Sequence, residues 1–133
     1  MNREILFRGK HDRRYTSRDE WVYGVPYFDH DDDCIIATDN YKLVVIAETV
    51  GQFTGLTDKN GVKIFEGDIV TIENPNISDD EYGIVKFDND GAMFIVEFDT
   101  FTVDFGNNID GNQCEIIGNI FDNPELLKGE ENE

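Results

Sequence analysis

The chain has 133 residues, 29 of them Asp or Glu and 11 Lys or Arg, for a formal net charge of −18. That length gives one domain a real core and leaves no comfortable room for a second full one. The charge disfavours direct nucleic-acid binding by the main surface and keeps it off anionic membranes.

No apolar run approaches the roughly 20 residues of a bilayer span. The N-terminus is polar and basic with no apolar stretch behind it, so no secretory signal is expected. Cys34 and Cys114 read as two free buried thiols in a reducing cytoplasm, which is the expected location. The charge is unevenly spread. Residues 1–18 hold six basic and two acidic side chains, so +4, and the remaining 115 hold five basic and 27 acidic ones, so −22.

Taken in order, Ile5 and Phe7 open a short strand, and residues 9–19 form a polar, charged connection. Residues 20–28 (EWVYGVPYF) are aromatic and β-branched and read as a strand; Pro26 lacks a backbone donor, which places this strand at an edge or ends it early. Residues 29–33 form a solvated acidic loop. Residues 34–37 and 41–47 are strands about a turn at Asp39-Asn40. Residues 49–70 (TVGQFTGLTDKNGVKIFEGDIV) read as strand, turn, strand, turn, strand. In the first turn Asp58 can accept from its own backbone two residues on, and Gly61 supplies a left-handed residue. Glu66-Gly67-Asp68 is the second turn.

Asn74-Pro75 breaks the pattern, and residues 78–81 continue it as an acidic loop. Residues 82–88 and 92–98 pair as strands around Asp88-Asn89-Asp90-Gly91. Phe101, Val103 and Phe105 alternate with polar residues as in a half-buried strand. Residues 106–111 are a flexible connection, and residues 114–120 are the last strand. Asn123-Pro124-Glu125 starts a helix of a turn or two. The tail, residues 129–133, is expected to be disordered.

Five pieces, in this order, resemble the YopX family of phage and prophage proteins: Phe7-Arg8-Gly9, Trp21-Val22-Tyr23-Gly24, residues 49–56 (TVGQFTGL), residues 64–70 (IFEGDIV) and residues 117–127 (IGNIFDNPELL). The acidic run at residues 29–33 departs from the pattern as a variable loop. The resemblance implies one mainly β domain: N-terminal strands over residues 1–63, then a small barrel-like core resembling an SH3-type barrel over residues 64–128, with a short C-terminal helical turn. Residues 67–70 followed by 83–87 fit the first two strands of such a barrel, an analogy of fold that carries no function. The resemblance also implies a phage or prophage setting. It supplies no activity and no functional residues.

Chemistry finds little purchase. Asp29-x-Asp31-x-Asp33 begins like a calcium loop, but Cys34 takes the position needing Gly and Asn40 the position needing Glu; Asp88-x-Asp90 fails similarly at Met93. Cys34, Cys114, His11 and His30 include no close cysteine pair for zinc. Cys34 stands beside aspartates and Cys114 between Gln113 and Glu115, settings that disfavour a thiolate. No catalytic, cofactor-binding or metal-ligating residue is expected, and the chain reads as a non-enzyme.

The candidate interaction residues are Arg13, Arg14, Tyr15 and Arg18 of the basic arm, with Trp21 and Tyr23. Trp21 and Tyr23 share one strand face, joined by Tyr27 if no bulge intervenes; a core or subunit contact is the plainer role for these aromatics. The expected function is that of an interaction or assembly protein. It would form a homo-oligomer whose arm lies on its own acidic body or a neighbour's, or bind a host or phage protein. The alternatives are an acidic nucleic-acid mimic occupying a DNA-binding protein, and an enzyme with a carboxylate site, which rests only on the number of acids.

Overall fold

In the computed structural model, which describes residues 4–14, 20–106 and 109–128, almost every regular element is a strand. The chain divides into two units, Met1–Phe53 and Thr54–Glu133. The first holds β1 (Phe7–Lys10), β2 (Trp21–Phe28), β3 (Cys34–Ala37), β4 (Lys42–Val45) and the start of β5 (Gly51–Thr57), in the antiparallel order β4-β3-β2-β1-β5.

Local chemistry makes its turns. Asp29 Oδ1 accepts the Asp31 and Asp33 N–H groups, both at 3.0 Å, and Asp32 takes φ 64, which a short polar side chain tolerates. The Thr38 hydroxyl oxygen accepts from the Asn40 and Tyr41 N–H groups and closes the β3–β4 turn. The core of this unit is Val22, Cys34, Ile36 and Val45, with Leu43 and Val50 packed against it. A methyl group at Gly9 would stand 3.1 Å from both Val45 and Val50, so the third residue of Phe7-Arg8-Gly9 is where β1 crosses that core.

Pro26 neither ends β2 nor puts it at an edge. β2 runs to Phe28 and lies between β1 and β3. It is tolerated because β1 pairs only with residues 21–24, whereas residues 25–28 pair with β3 alone; the missing donor falls where β2 has a single neighbour.

The second unit continues β5 and adds β6 (Lys63–Phe65), β7 (Asp68–Ile72), β8 (Gly83–Asp88), β9 (Met93–Glu97), β10 (Thr102–Asp104), β11 (Cys114–Asn119) and one short helix, α1 (Glu125–Lys128). Asp58 Oδ1 accepts the Asn60 and Val62 N–H groups and Gly61 takes φ 83, as its turn requires. Gly67 takes φ 91, and Asp68 Oδ2 accepts the Phe65 N–H.

Five strands form one antiparallel sheet in the order β10-β9-β8-β7-β11. β7 to β10 meander through nearest-neighbour hairpins, and β11 returns to the free side of β7 with a bulge between Ile116 and Gly118. Ile64, Val70, Ile72, Val85, Val96 and Cys114, each almost fully buried, centre the core. Closure of the barrel-like core expected over residues 64–128 is not found among the described residues: β10 and β11 end the strand order. The tail, residues 129–133, lies outside the described residues.

Candidate interaction surface

Residues directly opposite in an antiparallel pair share a face. In the first unit Arg8 faces Tyr23 and Lys10 faces Trp21 across β1 and β2. Val25 faces Ala37, and Ala37 faces Lys42. Since β2 alternates, Trp21, Tyr23, Val25 and Tyr27 stand in one row on the face opposite Val22 and Ile36. That row meets solvent: Tyr23 is 47%, Val25 54% and Tyr27 40% exposed, while Trp21 is half-buried. Tyr41 and Ile5, also exposed, stand with Trp21, Tyr23 and Val25 around a groove of about 700 Å³ whose rim includes Glu20 and Asp39.

Two cations are built into this face. The Arg8 guanidinium carbon lies 4.4 Å from the centre of the Trp21 ring and the Lys10 ammonium 5.7 Å from it. Both side chains are buried. Cations over an indole face are attracted by its quadrupole and hold the ring in one orientation.

The arm is placed differently. The Arg14 guanidinium donates to Asp12 Oδ2 through Nη2 at 2.7 Å and Nε at 3.0 Å, and reaches Asp33 Oδ1 at 3.2 Å. Those hydrogen bonds from Arg14 hold the Asp12 carboxyl below its usual range. Arg14 thus engages its own chain, and Arg13 is exposed beside it. Tyr15 and Arg18 lie outside the described residues.

Burial pushes the Cys34 thiol up; burial, and secondarily the Asp58 charge, push Cys114 up to about 12, so neither is a ready nucleophile. Among the described residues no group of three or more His, Cys, Asp or Glu is placed to hold a metal ion. A groove of about 530 Å³ in the second unit lies between residues 54–57 and 110–112, with Asp110 the only titratable residue lining it among the described residues. No helix among the described residues is long and apolar enough to cross a membrane.

The family model for YopX protein matches residues 7–128. The chain belongs to the YopX family. A crystal structure of protein EF1440 from Enterococcus faecalis is similar to it, with 25% sequence identity and a TM-score of 0.52, covering 95% of this chain and 99% of that one. No curated protein matches.

The YopX pieces now have physical roles. The buried Arg8 stacks on Trp21, while residues 64–70 and 117–127 interlock inside the second unit. Gly67 O accepts the Ile120 N–H at 2.9 Å, and a methyl at Gly67 would stand 3.4 Å from Phe121. Asn119 Oδ1 accepts the Phe121 and Asp122 N–H groups, and Asn123 Oδ1 accepts the Asn119 N–H. Sequence reasoning missed the buried Arg8 and Lys10 and the exposed Val25 and Tyr41; cross-strand register, not spacing along the chain, brings Arg8 and Lys10 to Tyr23 and Trp21.

Proposed function

We propose that this YopX-family protein works by binding rather than by catalysis, and that a macromolecular partner docks on the outer face of β2. The observation that carries this reading is the exposed row Tyr23, Val25 and Tyr27, continued by Tyr41 and Ile5 around one groove. A contiguous apolar patch rimmed by polar groups is characteristic of docking surfaces, and Tyr, Trp and Arg are enriched in them. In the phage or prophage setting that the family resemblance implies, the partner is a phage protein, a host protein or a further copy of the chain.

The test is parallel purification of tagged wild-type protein and a Tyr23→Asp/Val25→Asp variant with the same circular dichroism. The expected result is a macromolecule held in near-stoichiometric amount by the wild type and lost by the variant, an untagged copy of the chain included. Identical retention by both proteins would refute the reading.

A further inference from the structure

We infer that the occupant of this face is a second copy of the chain, set against the first about a two-fold axis; the inference rests on the docking reading above. The argument begins with charge. Residues 1–53 hold seven basic and ten acidic side chains, so −3, whereas residues 54–133 hold four and nineteen, so −15. Two copies meeting through the second unit bring like charge together. That penalty is smaller at the first unit. On its outer face Arg8, Lys10 and Lys42 lie in the strand rows and Glu20 and Asp39 line the groove, three cations against two carboxylates on a chain of −18.

The area is also sufficient. An aromatic side chain offers about 150–250 Å², and Tyr23, Tyr27 and Tyr41 each show roughly half of theirs. With Val25 and Ile5, the patch comes to roughly 500 Å² per copy, so about 1,000 Å² for a pair, the lower limit of a specific interface. A two-fold contact uses one patch twice and closes without propagating.

Such a dimer responds to salt in the opposite sense to an ionic one. Its contacts are apolar, and its main opposing force is repulsion between two strongly acidic chains. Screening that repulsion, as the Debye length falls from about 30 Å at 0.01 M to about 3 Å at 1 M salt, tightens association. An arm bound to a neighbour's acids would loosen instead.

Sedimentation equilibrium of the full chain across salt concentrations is the experiment. The expected result is a dimer whose dissociation constant falls with salt. Val25→Ser and Tyr23→Asp should each raise that constant, the latter by about tenfold or more. Phe87→Ser, at an exposed aromatic of the second unit, should leave it unchanged. A monomer at all salt concentrations overturns the inference. So does association that weakens with salt and vanishes with Arg13→Glu, which transfers the contact to the arm. If the chain is monomeric while a different protein is retained through Tyr23 and Val25, the second-copy inference falls and the docking reading stands; if nothing is retained either, both fall.

Discussion

Replacing Asp58 tests how the second unit is held together. Asp58 is 3% exposed, and its carboxylate accepts three backbone N–H groups. Oδ1 takes Asn60 and Val62 at 2.9 Å each, closing the turn; Oδ2 takes Ile116 at 3.1 Å, tying that turn to β11 beside the bulge. In Asp58→Ala the exposed Asn60 and Val62 amides regain water, so each loss resembles that of a helix cap, about 0.5–1 kcal/mol. The half-buried Ile116 amide is left without a partner, at about 1–3 kcal/mol. The sum is about 2–5 kcal/mol. With a urea slope of about 1.5 kcal/mol per molar, the midpoint of residues 54–133 should fall by roughly 2 M. Desolvation raises the Asp58 pKa, but the hydrogen bonds from Ile116, Val62 and Asn60 outweigh it, and the net direction is down. A carboxyl with a folded pKa below its unfolded value of about 3.9 stabilises the fold above that value, and the contribution is lost as pH falls through the folded pKa. Urea titrations from neutral pH to about pH 3 should therefore show wild type and Asp58→Asn converging as the solution is acidified. A neutral-pH difference under about 1 kcal/mol, or one that does not shrink in acid, would refute this account.

Three further outcomes are expected. Gly61→Val should destabilise by more than about 1 kcal/mol, because φ 83 is forbidden to a β-branched residue although open space surrounds the position; Gly61→Asn should cost clearly less, and equal midpoints for the two would show that steric crowding, not φ, sets the cost. Gly83→Ala would put a methyl 2.4 Å from Val96 Cγ1, so it should cost about 2 kcal/mol or more, with a double-mutant cycle against Val96→Ala showing favourable coupling; strict additivity would deny the clash. Neither Cys34 nor Cys114 should react with an aromatic disulfide reagent at pH 8 in the folded protein, and both should react in urea; rapid native labelling would contradict their burial and raised pKa values.

Turns were the most legible part of the fold, since their chemistry is local. Asp58, Gly61 and Gly67 do what an Asx turn and left-handed glycines do, and short strands follow between them. The Asp88–Gly91 turn shows the limit. There Ala92, not Gly91, takes positive φ, at 53, because the β8–β9 register pairs Asp88 with Met93 and places the left-handed step one residue later. Pairing between distant strands was less legible still. That β11 seeks the free edge of β7, and that the strand order stays open, depends on contacts some fifty residues apart, which no local pattern encodes. Pro26 shows the same limit: its local effect is certain, but whether a neighbour needs its N–H depends on where β1 stops.

The site shows the same division. Strand alternation places Trp21, Tyr23 and Tyr27 on a single face, and that much is readable from the chain. Which face then meets the core is not, because the larger apolar side ordinarily goes inward. In β2 the opposite holds. A methyl at Gly24 would lie 2.1 Å from the Ala37 carbonyl oxygen, and one at Gly9, across on β1, would press on Ile36, Val45 and Val50. Along residues 21–25 the neighbouring strands approach so closely on that side that Val22 and Gly24 fit there, and Trp21, Tyr23 and Val25 are turned outward. A core role for Tyr23 and Tyr27 is thereby excluded. In the stretch with the most recognisable motifs, residues 49–70, Asp58, Gly61, Gly67 and Asp68 close turns, and Phe53, Ile64, Phe65, Ile69 and Val70 are buried. The exposed aromatic row owes its position to two glycines whose role becomes visible only when the strands are paired. An aromatic strand face left uncovered by close backbone packing beneath it is a surface that a binding partner can cover.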